Sequence, residues 1–164
     1  MTSSGESAEE ERDGAAVRFP PPLIPLLVLA VGVAIQWIVG PLLAMPWDLL
    51  RYVLGVGLFA LGTGLLVAAG RLFQQTGQDP KPWESSPEII ASGIYRYTRN
   101  PMYLGMGVIQ AALGVLLANA WVVALVPVSW LIIYVIAIRH EEAYLAGKFG
   151  QTYLDYKSSV RRWL

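Results

Sequence analysis

The sequence predicts an all-α integral membrane protein with about four transmembrane helices and a cytoplasmic C-terminal amphipathic helical segment. Three observations predict it. The 164 residues are 55% hydrophobic with a mean hydropathy of +0.48, more apolar than an ordinary soluble domain. Four apolar runs approach the roughly 20 residues a helix needs to cross about 30 Å of hydrocarbon. The charges collect before, between and after those runs rather than within them.

Ahead of the first run, residues 1–19 carry Glu6, Glu9, Glu10, Glu11 and Asp13. Too few apolar side chains are present to offset the entropy of ordering, so this stretch is expected to be a disordered acidic tail, with the membrane domain over residues 20–164. A signal peptide would place a basic region before a short apolar core, and here an acidic stretch precedes a run long enough to span. The first span is expected over 23–43. Pro20, Pro21, Pro22 and Pro25 stiffen its entry, where a missing N–H costs least, and Pro41 with Pro46 ends it. The second is expected over 49–69, with Arg51 extending to the interface and Ala60, Gly64 and Ala68 forming a ladder that lets helices approach closely.

Met102 to Ile138 contains no charged residue, and as one helix it would run about 55 Å, too long for a single crossing. It must fold back. Ala118-Asn119-Ala120 is the best break, giving spans over 102–117 and 121–138, the second kinked at Pro127. Gly105, Gly107, Ala111, Gly114 and Ala118 suit a tight hairpin, and Gln110 is read as a cross-helix hydrogen bonder.

Orientation follows from the basic residues. The loop 70–100 holds Arg71, Lys81, Arg96 and Arg99, and the segment 139–164 holds Arg139, Lys148, Lys157, Arg161 and Arg162, whereas the opposite loops hold little beyond Asp48 and Arg51. Both termini of a multi-pass chain are therefore expected in the cytoplasm. Twelve basic residues balance twelve acidic ones, which gives no electrostatic footprint for nucleic acid. With no cysteine, and with His140 as the one histidine, neither thiolate chemistry nor a metal site is expected.

Two polar aromatic segments border the hairpin. The first, Gly93 to Gly105, leads into the third span with Pro101 near its first turn and Asn100 at the N-cap position, so free N–H groups and the positive dipole end make a site for an anion. The second, Arg139-His140-Glu141-Glu142, is followed by Tyr144, Leu145, Phe149, Gly150, Tyr153 and Tyr156, an amphipathic surface helix broken at Gly150. A hairpin makes the two segments neighbours. Trp83, with Pro80 and Pro82, is expected to form a rigid loop that acts as a lid.

From Gly77 to Arg162 these features resemble the superfamily of isoprenylcysteine carboxyl methyltransferases and phospholipid N-methyltransferases. The resemblance rests on the string Gly93–Gly105, the apolar hairpin, the Glu pair, Phe149-Gly150 and Tyr153-x-x-Tyr156. It implies an S-adenosyl-L-methionine-dependent membrane methyltransferase whose cofactor pocket uses Ile89, Ile90, Tyr95, Asn100, Pro101, Met102, Tyr103, Glu141 and Glu142. Arg96 or Arg99 would meet the cofactor's carboxylate, and a Glu or Arg99 would act in catalysis. Arg139 is the further candidate for an anionic group on the substrate.

Two departures stand out. Asn100 replaces the histidine of the family's usual Arg-His-Pro turn, and Ala137 stands where eukaryotic prenylcysteine enzymes carry an arginine for the substrate carboxylate. The expected acceptor is therefore described only as apolar or lipid-like, reaching the site from the bilayer. Two other readings are an NADPH-dependent sterol-reductase-like enzyme, which shares the C-terminal pattern, and a non-catalytic membrane adaptor.

Overall fold

A computed structural model describes residues 14–17, 19–44 and 48–164. Among them every regular element is helical. Helix α1 spans Leu23–Val39, α2 Asp48–Gln75 and α3 Pro101–Leu116. Helices α4 (Ala120–Ala124) and α5 (Val126–Ile133) continue through a π-helical turn, Tyr134–Ile138, into α6 (Arg139–Phe149), and α7 covers Gln151–Ser159. Two helical stretches are long and apolar enough to cross a membrane, Leu49–Gln75 and Ala120–Phe149, and two shorter apolar helices, Leu23–Val39 and Pro101–Leu116, accompany them.

The bounds differ from the sequence expectation where backbone chemistry intervenes. Helix α1 stops at Val39, four residues early, because Gly40 leaves the helical region at φ 96° just before Pro41. Its carbonyl accepts the Trp121 indole N–H at 3.0 Å. Helix α2 runs six residues beyond Ala69, since nothing breaks it before Gly77, whose φ is 68°. The hairpin turns where expected: Ala118 takes a positive φ of 51°, and the Asn119 side chain accepts from the Val122 N–H while donating to the Gly32 carbonyl. Pro127 falls in the first turn of α5, just after the junction with α4 at Leu125. Its missing N–H therefore breaks no hydrogen bond.

Helices α2 and α3 pack backbone to backbone. A Cβ on Gly62 would stand 2.8 Å from the Gly105 carbonyl oxygen, and one on Gly105 would stand 2.9 Å from that of Gly62. Gly55, Gly62 and Ala69, seven residues apart, are the buried small positions of α2. The expected ladder of Ala60, Gly64 and Ala68 faces outward instead: all three are exposed, and nothing lies within 4 Å of a Cβ built on Gly64. Inside the hairpin, Ser129 donates to the Gln110 side-chain oxygen and the Gln110 amide donates to the Val122 carbonyl. Gln110 thus bonds across helices, as a polar group in an apolar bundle must.

Most of the acidic tail, residues 1–13 and Arg18, lies outside the described residues. Residues 14–17 are packed. Ala15 and Val17 join Ile24, Val28, Tyr103, Ile133, Ala137 and Ile138 in the buried cluster, and the Ala15 N–H donates to the Pro82 carbonyl at 2.9 Å. Two small apolar side chains and one backbone bond suffice to fix this stretch on the bundle.

Candidate functional site

The start of α1, the end of α2, the start of α3 and the start of α6 meet at one end of the bundle and enclose a cavity of about 360 Å³. That volume suits a small ligand or cofactor. Pro20 to Pro22 and the loop from Gln78 to Trp83 form one side, Ile89, Ile90 and Tyr95 another, and Met102, Tyr103 and Met106 of α3 the floor. Glu141 and Glu142 project from the first turn of α6.

The Arg-Asn-Pro turn and the acidic pair touch. The Tyr103 hydroxyl donates to the Glu141 carboxylate, and among the described residues no other group bonds that carboxylate. Glu142 is differently placed. Its carboxylate takes the Arg162 guanidinium as a fork, at 2.8 and 3.1 Å, the Lys157 ammonium at 3.2 Å and Arg99 Nη1 at 3.4 Å. The hydrogen bond to Glu142 pushes the Arg162 pKa further up. Arg99, with a side chain only 9% exposed, makes an ion pair here but not a hydrogen bond, and its Nε and Nη1 have no hydrogen-bond partner. The Gln78 side-chain nitrogen, also at the cavity, is buried without a partner as well. Buried donors left unpaired carry a desolvation cost of about 1–3 kcal/mol each, so a ligand bearing acceptors is favoured.

Asn100 occupies the N-cap position of α3 but does not cap with its side chain. Its amide donates instead to the Arg162 carbonyl at 3.0 Å, beside the Thr98 hydroxyl, which donates to the same oxygen at 3.1 Å. The free N–H groups of the first turn of α3 therefore keep no side-chain acceptor. Pro101 is buried behind the wall and does not line the cavity. Ile89, Ile90, Tyr95, Arg99, Asn100, Met102, Tyr103, Glu141 and Glu142 all do.

Arg96 and Arg139 lie elsewhere. Both are exposed and outside the cavity lining, and Arg139 reaches its neighbour His140 at 3.4 Å. Side chains so placed suit lipid headgroups better than a bound small molecule. Ala137 is wholly buried in the core cluster, so no polar group at that position faces the cavity.

Tyr153, Tyr156 and Tyr144 also line the cavity and were not among the site residues expected from sequence. Their signal was the three-residue spacing of Tyr153 and Tyr156, which puts both rings on one side of α7. The Tyr156 hydroxyl donates to the Tyr95 carbonyl at 2.8 Å. Burial pushes its pKa up to about 12 and raises that of Tyr95 further, so both hydroxyls stay protonated. Trp83, Pro80 and Pro82 line the cavity, and in the same loop region the Ser86 N–H donates to the Tyr144 hydroxyl and Lys148 to the Ser85 hydroxyl.

A family model of phospholipid methyltransferases matches residues 50–152. A protein-S-isoprenylcysteine O-methyltransferase of Dictyostelium discoideum is 33% identical over 94 residues, 56% of this chain and 38% of that protein. An uncharacterized protein of Haemophilus influenzae is 42% identical over 65 residues, 38% of this chain and the whole of that protein. The chain thus spans well under half the length of the first of these relatives. With the matched region taking in α2, the loop, the hairpin, the acidic pair and the start of α7, the chain belongs to the phospholipid methyltransferase family, within the superfamily it shares with the isoprenylcysteine O-methyltransferases.

Proposed function

We propose that the chain is an S-adenosyl-L-methionine-dependent methyltransferase that acts on an apolar or lipid-like acceptor at the cytoplasmic face of a membrane. One observation carries the reading: a single cavity is bordered both by unpaired donors and by a carboxylate with capacity to spare. That donor set fits the cofactor. Arg99 would hold its carboxylate, Glu141 its ammonium or ribose hydroxyls, and the walls of Ile89, Ile90 and Tyr95 its adenine.

S-adenosylmethionine supplies a methyl group on a sulfonium, ready for in-line displacement. The protein's part is alignment and exclusion of water, for which an apolar floor of Met102 and Met106 and a loop bearing Trp83 are suited. Where the acceptor is an amine or a thiol, Glu141 is the better placed carboxylate to take its proton, because Glu142 is committed to three cations. Family membership and the isoprenylcysteine O-methyltransferase relative support methyl transfer to a lipid-linked group. The basic residues of 70–100 and 139–164 support a multi-pass arrangement with this end of the bundle in the cytoplasm.

Isothermal titration of the full chain in lipid nanodiscs tests the reading. S-adenosylmethionine is expected to bind, and Glu141→Ala to weaken it at least about tenfold while the helical circular dichroism is kept. Binding of NADPH alone would support a reductase, and binding of neither an adaptor.

A further inference from the structure

Glu142 is crowded. Three cations share one carboxylate, and they are not equivalent: Arg162 holds it in a planar fork at 2.8 and 3.1 Å, whereas Arg99 stands at 3.4 Å with its Nε and Nη1 unbonded. A two-point guanidinium–carboxylate pair is the strongest geometry available to such groups. Arg99 borders the cavity and Arg162 does not. The cation outside the cavity therefore takes the carboxylate, and the cation inside keeps its hydrogen-bonding capacity.

Arg162 is itself tightly fixed. Its guanidinium lies 4.8 Å from the Tyr134 ring centre, its carbonyl accepts from Thr98 and Asn100, and the Arg161 carbonyl accepts the Arg99 N–H at 2.9 Å. The Trp163 ring sits 5.5 Å from that of Trp130. This segment lies beyond the residues that the family model matches.

We propose that Arg162 is a positioning residue that reserves Arg99 for an oxyanion: it draws Glu142 backwards, so that the guanidinium edge of Arg99 receives the carboxylate of an amino-acid-like cofactor. The inference rests on the reading of the cavity as an S-adenosylmethionine site. Without Arg162, only the Lys157 ammonium at 3.2 Å holds Glu142 back, so the carboxylate can close on Arg99 and compete with the ligand for the same donors. Competition of this kind selects against ligands that carry a carboxylate and spares those that lack one.

The test uses the full chain in nanodiscs and two probes, S-adenosylmethionine and its decarboxylated form. Wild type is expected to prefer the first. Arg162→Gln should weaken S-adenosylmethionine at least about tenfold and the decarboxylated probe less than about twofold. Arg162→Lys should recover part of the loss, and Glu142→Gln in the Arg162→Gln background most of it, because the competitor is then neutral. Thermal unfolding of each variant checks that it folds. Equal loss of both probes, or no recovery in the double variant, overturns the inference and makes Arg162 a mere brace. Equal affinity of wild type for the two probes also overturns it and leaves the cofactor site standing. Wild type binding neither probe removes the cofactor reading itself.

Discussion

Tyr103 and Glu141 come from different helices, and their hydrogen bond ties the start of α3 to the start of α6 across the cavity. The Tyr103 backbone carbonyl is separately anchored by the Trp130 indole N–H at 3.1 Å, so removal of the hydroxyl should leave the helix in place. Tyr103→Phe is expected to weaken S-adenosylmethionine binding roughly tenfold, as loss of a hydrogen bond to a charged group does. Titration against wild type measures it, and an unchanged affinity would take this pair out of the site. The turn and the acidic pair were legible because polar residues bracketing a long uncharged run must be neighbours once the run folds back. The role of Arg162 was not legible: nothing in the spacing of Val160-Arg161-Arg162-Trp163 tells which of two adjacent arginines turns inward.

Among the helices, α2 shows what composition conceals. Its sequence offers two stripes of small residues, Ala60, Gly64 and Ala68 at four-residue spacing and Gly55, Gly62 and Ala69 at seven. Only the second is buried. Both stripes permit close approach, and the choice depends on the facing glycine of α3, which a single helix's pattern does not contain. Gly62→Leu is therefore expected to destabilise the protein by about 1–3 kcal/mol through overpacking against Gly105. Gly64→Leu is expected to change stability little, since a Cβ there meets nothing within 4 Å. Thermal unfolding in matched nanodiscs compares the two, and equal losses would mean that the face of α2 is misassigned. The break at Ala118-Asn119 was legible by contrast, because length alone forbade a single crossing and Asn is a natural cap.

For the whole molecule, the absence of cysteine gives a clean background for mapping sidedness. Single cysteines at Ser159, near the end of α7, and at Ala118, in the hairpin turn, are expected to label with an impermeant maleimide from opposite sides of the membrane. Labelling of both from one side would refute the proposed topology. The alternation of apolar and polar segments made the succession of helices readable. The packed residues Ala15 and Val17 were missed because two apolar side chains in an acidic stretch give no periodic signal. The π-helical turn at Tyr134–Ile138 was equally silent. Such a turn is one residue wider than an α-helical one, and each residue of an ordinary helix advances by about 100°. The wide turn absorbs that extra residue, and a regular α-helix wound through the same residues would carry everything downstream round by about that angle. Glu141 and Glu142 would then miss their tyrosine and arginine partners with no change in the composition of the chain, so this turn acts as the azimuthal dial of the bundle.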